Sequence, residues 1–150
     1  MAVKELGHIV LYVHNAERSA HFYRDILGWN AITEERPGMP VAAFSSGRTH
    51  HELLLIEVGE DAPPPLRGRR AGLYHFGLKV GETDDELREV IKTLQANDVT
   101  IVGASDHTVT HSLYILDPDG NEIELYIDVQ PEVWRDDPKA FLAPVKPLSL

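Results

Sequence analysis

The sequence predicts an α+β fold of two tandem βαβββ modules, whose strands would surround a polar cavity if their mixed sheet curls. Three observations predict it. The order strand, helix, strand, strand, strand can be read twice along 150 residues, with a proline-rich connector between the two readings. Each reading opens with a histidine on its first strand, His8 and His75. Each also carries a glutamate 49 residues later, Glu57 and Glu124, as an internal duplication would produce.

The elements follow in order. Residues 7–13 are β-branched and aromatic enough for a strand, and Asn15 offers an N-cap to a helix over 16–27. In that helix Phe22, Tyr23, Ile26 and Leu27 recur at helical spacing, and Gly28 is placed to end it in the left-handed conformation. Strands are expected at 30–35, 41–45 and 50–58, separated by the turn pairs Pro37-Gly38 and Ser46-Gly47. Pro63-Pro64-Pro65 and its flanking charges give the connector. The pattern then restarts with a strand at 73–80. Thr83 and Glu86 form a capping box before a helix whose Leu87, Val90, Ile91 and Leu94 share a face. Strands at 99–102, 112–116 and 122–127 complete the module, the last two joined by the turn sequence Asp117-Pro118-Asp119-Gly120. The expected organisation is therefore a single domain over residues 1–128, made of a first module (5–60), a connector (60–71) and a second module (72–128), followed by a tail over 129–150.

Composition narrows the chemistry. A net charge of −10 repels phosphate backbones and argues against nucleic-acid binding; the basic run at residues 67–70 reads as a solvated loop. No apolar run approaches the roughly 18 residues of a membrane span, and residues 1–6 lack the pattern of an export signal, so a cytoplasmic protein is expected. With no cysteine, a transition-metal site must use nitrogen and oxygen donors. His8, His75 and Glu124 each fall on an expected strand, where a polar side chain faces water or is satisfied within the fold. On the last strand Glu122, Glu124 and Tyr126 share one face, and Ile123, Leu125 and Ile127 the other. That acidic face is either simply solvated or, if the sheet curls, lines a cavity. In the second case two imidazoles and one carboxylate make a facial triad, which leaves adjacent positions open on Fe(II) for substrate and oxygen. His14, His21 and His111 read as surface residues.

The segments Gly7-His8-Ile9-Val10, Phe22-Tyr23-Arg24-Asp25-Ile26-Leu27-Gly28 and Asp117-Pro118-Asp119-Gly120-Asn121-Glu122-Ile123-Glu124 resemble the glyoxalase/bleomycin-resistance/dioxygenase superfamily, the vicinal-oxygen-chelate fold. Within it, His107, Leu113-Tyr114, Asp117-Pro118, Gly120 and Glu124 are similar to the extradiol ring-cleavage signature, and His50-His51 to catechol 2,3-dioxygenase-like proteins. The resemblance implies Fe(II), or Mn(II), on His8, His75 and Glu124, with His51 as acid/base and His107 with Tyr114 as a hydrogen-bonding pair. It implies a small aromatic diol and O2 as substrates. A homo-oligomer, dimer or higher, is expected from the architecture.

Two other functions stay open. A glyoxalase-like isomerase or lyase would add Glu57 as a fourth ligand around Ni or Zn. A non-catalytic protein would hold an aromatic compound or antibiotic in the same scaffold. His51 shares strand parity with Leu53, Leu55 and Glu57 on the strand expected at 50–58, which sets it on the face where the duplication puts Glu57.

Overall fold

The computed structural model describes residues 2–32, 40–66 and 68–150. The chain divides into two compact units, residues 1–65 and 66–150.

The first unit runs β1 (Ile9–Val13), α1 (Ala16–His21) with a wider continuation over Phe22–Ile26, β2 (Val41–Phe44) and β3 (Leu53–Glu57). The sheet order is β1-β3-β2, with β1 parallel and β2 antiparallel to β3. Asn15 caps α1 by accepting the Arg18 amide at 2.8 Å, as its residue type predicts. The expected single helix over 16–27 changes pitch partway. The Leu27 amide reaches the Phe22 carbonyl five residues back at 3.0 Å, a π-type turn, and Gly28 follows at φ +71.

That widened turn seats Phe22 and Tyr23 in the core. Tyr23, fully buried, packs against Phe22, Phe44 and Trp29 at ring separations of 5.1, 5.7 and 6.4 Å. Side chains of this size each contribute roughly 1.5–3 kcal/mol by burial. The strand expected at 30–35 is represented by one bridge, Ala31 to Phe44; residues 33–35, and the Pro37-Gly38 turn, lie outside the described residues. The last strand begins at Leu53 instead of residue 50, leaving His50 and His51 ahead of it.

The second unit runs β4 (His75–Gly81), α2 (Asp84–Ala96), β5 (Ile101–Asp106), β6 (Thr110–Leu116), β7 (Glu122–Asp128) and a short α3 (Pro131–Asp136). Its sheet order is β4-β7-β6-β5, with β4 parallel to β7 and the rest antiparallel. The predicted cap of α2 forms: Thr83 accepts the Glu86 amide, and the Glu86 carboxylate accepts the Glu82 amide at 2.8 Å and the Thr83 hydroxyl at 2.9 Å. Leu87 and Leu94 of α2, with Leu113, Ile115, Ile123, Leu125 and Ile127, are buried, so alternate residues of β7 fill the core.

The turn between β6 and β7 is built on Asp117. Its carboxylate accepts the backbone amides of Asp119 and Asn121 at 3.0 and 2.8 Å and the Asn121 side-chain amide at 2.8 Å, while Gly120 takes φ +89. After β7 the chain returns along the β5 edge, where Lys146 and Asp106 exchange two backbone hydrogen bonds of 2.9 Å.

The α+β class and mixed sheets hold as predicted, with one sheet in each unit. The repeat is one of topology and not of register. Val10 faces Leu54 in the first unit, an offset of 44, whereas Gly77 faces Glu124 in the second, an offset of 47. Equal 49-residue intervals therefore do not give equal placement. Among the described residues no helix is long and apolar enough to cross a membrane.

Candidate functional site

The second unit gathers polar side chains on the sheet face that β7 turns away from its core. Glu122 and Glu124 point there because Ile123, Leu125 and Ile127 point into the core. The β6–β7 register sets Tyr114 opposite Glu124, and the β4–β7 register sets His75 opposite Glu122 and Gly77 opposite Glu124. His75 Nε2 lies 3.2 Å from Glu124 Oε2, and the Tyr114 hydroxyl 3.5 Å from Glu124 Oε1. His107 Nε2 is 2.8 Å from the same hydroxyl. Burial, then the negative charge of Glu124 and the hydrogen bond to it, push the Tyr114 phenol up to about 12, so it remains a donor at neutral pH. His75, His107, Tyr114 and Glu124, four of the residues expected from sequence, are thus brought together.

Gly77 keeps space beside Glu124. A Cβ there would stand 3.2 Å from the Tyr126 ring and 3.8 Å from Glu124 Oε2. Two residues without an assigned role also border the cluster. Glu122 Oε1 is 3.6 Å from His75 Nδ1, and the Tyr74 ring lies 4.5 Å from that of His75. The shared face of Glu122 and Glu124 was legible from strand alternation; the contact with His75 depends on the parallel register, which local sequence does not encode.

The first unit forms a histidine cluster. The rings of His8 and His51 are 4.4 Å apart, His8 and His50 6.0 Å, and the Nδ1 atoms of His50 and His51 approach to 2.6 Å. His51 Nε2 is buried without a hydrogen-bond partner. Burial, followed by the neighbouring charges of His50 and His8, lowers the His51 pKa and favours its neutral form.

Glu57 does not join this cluster. It pairs with Val13 at the far end of β1 from His8, on the face of the buried Leu53 and Leu55, and its carboxylate accepts the Ala16 amide at 2.9 Å at the start of α1. His8, expected on the first strand, immediately precedes β1, which begins at Ile9. Glu57 and His8 are therefore not neighbours within this unit, because the 44-residue register sets Glu57 beside Val13, five residues along the chain from His8. The strand parity proposed for His51 likewise lapses, since His51 precedes the strand.

The histidines read as surface residues have partners. His111 Nδ1 is 2.6 Å from Asp84, His21 Nδ1 2.7 Å from Asp25, and His14 Nε2 2.8 Å from the Ala62 carbonyl.

Among the described residues no group of three metal-ligating side chains is poised to hold an ion. The donor set of the second unit nevertheless fits two neighbouring ligands. Nitrogen and oxygen donors about 2.1 Å from a metal and at right angles to each other lie about 3.0 Å apart, and the His75–Glu124 separation is 3.2 Å.

Residues 5–125 match the family model described as Glyoxalase/Bleomycin resistance protein/Dioxygenase superfamily. The chain is 30% identical to a catechol-2,3-dioxygenase of Bacillus subtilis (strain 168) over 132 residues, 88% of this chain but 44% of that protein. It is 27% identical to the metallothiol transferase FosB of Staphylococcus haemolyticus (strain JCSC1435) over 126 residues, 83% of this chain and 84% of that one. The crystal structure of a glyoxalase/dioxygenase from Nostoc punctiforme shares the fold, with a TM-score of 0.67 and 24% identity over 85% of this chain and 92% of that one. With the model spanning both units, the chain belongs to the glyoxalase/bleomycin resistance protein/dioxygenase superfamily.

Proposed function

We propose that the protein is an extradiol dioxygenase that opens a catechol-like ring with O2 at a mononuclear Fe(II) held by His8, His75 and Glu124. The observation that carries the reading is the chain His107–Tyr114–Glu124 beside His75, since a phenol kept protonated at the edge of a ligand pair suits ring-cleavage chemistry. The similarity to a catechol-2,3-dioxygenase supports it.

Bound Fe(II) would supply open positions for the two catechol oxygens and O2 and would favour loss of a catechol proton. Tyr114 donates its hydroxyl proton toward the oxygen that gains charge, and His107 donates to the phenol oxygen and holds it in place. His51, kept neutral, accepts the second catechol proton and returns it as the ring opens. Glu57 serves as the partner of α1 in this reading and leaves the metal to three protein ligands.

The test is anaerobic loading of the protein with Fe(II), followed by catechols and air. The expected result is uptake of one O2 per ring and a yellow ring-opened semialdehyde, with Tyr114→Phe retaining metal but losing most of the rate. No uptake with Fe(II) or Mn(II) across several catechols would overturn the reading. Isomerisation of a hemithioacetal only with Ni or Zn, or metal-dependent thiol transfer without O2, would assign one of the other chemistries of this family.

A further inference from the structure

Two carboxylates bracket the imidazole of His75. Because β4 runs parallel to β7, Glu122 and Glu124 stand one alternation apart on the face that His75 crosses, with Nδ1 3.6 Å from Glu122 Oε1 and Nε2 3.2 Å from Glu124 Oε2. All three side chains are about four-fifths buried, at 23, 22 and 19% exposure for His75, Glu122 and Glu124. Nδ1 is itself buried and has no hydrogen-bond partner at that distance.

A neutral imidazole carries one N–H. With the proton on Nε2, the Nδ1 lone pair faces Glu122. With it on Nδ1, the Nε2 lone pair faces Glu124. Either arrangement sets a lone pair against a carboxylate in a poorly hydrated place. A cation on Nε2 shared with Glu124 removes the conflict and requires the proton on Nδ1, where Glu122 can accept it. A rotation that shortens 3.6 Å to a normal bond of about 2.8 Å moves the carboxylate by less than about 1 Å.

We infer that Glu122 is a positioning residue for His75: it accepts the Nδ1 proton and so fixes the tautomer and ring orientation in which Nε2 and Glu124 share a metal ion. The inference rests on the reading of His75 and Glu124 as ligands. A carboxylate behind a metal-bound histidine orients the ring and raises its basicity, and loss of such a partner typically weakens metal binding about 10–100-fold.

The experiment titrates the apo protein with Zn(II), a diamagnetic probe, by calorimetry, and follows the His75 ring by nitrogen-edited NMR. In wild-type protein the Zn(II) form should show a protonated, slowly exchanging Nδ1. Glu122→Ala should bind Zn(II) about 10–100-fold more weakly, while Glu122→Gln, which keeps a neutral acceptor, should recover most of the loss and move the Nδ1–H resonance upfield. Circular dichroism of each apo variant monitors folding; should Glu122→Ala misfold, the resonance shift in Glu122→Gln decides. Equal Zn(II) affinity in folded Glu122→Ala, an unshifted resonance in Glu122→Gln, or a metal on Nδ1 would overturn the inference alone, provided His75→Ala abolishes binding. If wild-type protein binds no Zn(II), or His75→Ala binds it as tightly, the underlying ligand assignment fails and the inference falls with it.

Discussion

Asp117→Ala should be among the most damaging single changes in the second unit. Three N–H groups converge on this carboxylate, from the Asp119 and Asn121 backbones and the Asn121 side chain, and Asp117 is only 4% exposed. The Asn121 side chain can turn to water, but the two backbone amides are left unsatisfied. Hydrogen bonds to a charged acceptor contribute about 1.5–3 kcal/mol each, so the expected loss is about 3–6 kcal/mol, against a total stability of about 5–15 kcal/mol. Asp117→Asn retains one oxygen for the backbone amides but aims an NH2 at the Asn121 amide, and should cost about 1–2 kcal/mol. Urea unfolding followed by circular dichroism measures both. With a slope of about 2 kcal/mol/M, the alanine variant should lose about 2 M from its midpoint. Hydrogen exchange should show the Asp119 and Asn121 amides deprotected. The reasoning is refuted if the alanine midpoint stays within about 0.3 M of wild type, or if asparagine is as harmful as alanine.

Glu124→Gln should abolish high-affinity metal binding, whereas Glu57→Ala should leave it intact and cost about 0.3–1 kcal/mol through loss of a negative group at the α1 N-terminus; metal analysis and thermal melts read the two effects separately. Gly77→Ala should force the Tyr126 ring to shift by a few tenths of an ångström, and Gly77→Val should cost about 1–3 kcal/mol by overpacking and weaken metal binding further by crowding Glu124. Burial works to raise the Glu52 pKa, but hydrogen bonds from Ser46 and Arg48 outweigh it and leave it lowered. A depressed folded value stabilises fully above the usual 4.5 and loses that contribution as pH falls through the folded value. Glu52→Gln should therefore lower the melting temperature at pH 7 and much less at pH 3, and an equal loss at both would contradict the ion-pair account.

Local chemistry makes much of this molecule readable from its sequence. Asn15, Thr83 with Glu86, Gly28 and the Asp117–Asn121 turn act on neighbours within a few residues, and each does what its residue type dictates. Alternation on β7 likewise foretold the acidic face. What escaped reading was set by pairing between distant strands. The 49-residue interval made Glu57 look like a partner of His8, but parallel registers of 44 and 47 put it on the helix side of the sheet. His50 and His51 were expected to open a strand, yet pairing with β1 starts only at Leu53, so alternation says nothing about their direction. His111 has its partner 27 residues away on α2, beyond any local pattern.

The pairing of Lys146 with Asp106 has a consequence for handling the protein. An outer strand with free amides and carbonyls is a template on which another chain can grow, and the returning tail caps part of that template with two bonds. Truncated chains that stop at the end of β7 would keep every proposed ligand and lose this fastening. Their solubility should suffer before their chemistry does, so the final segment is best retained in any shortened or fused form.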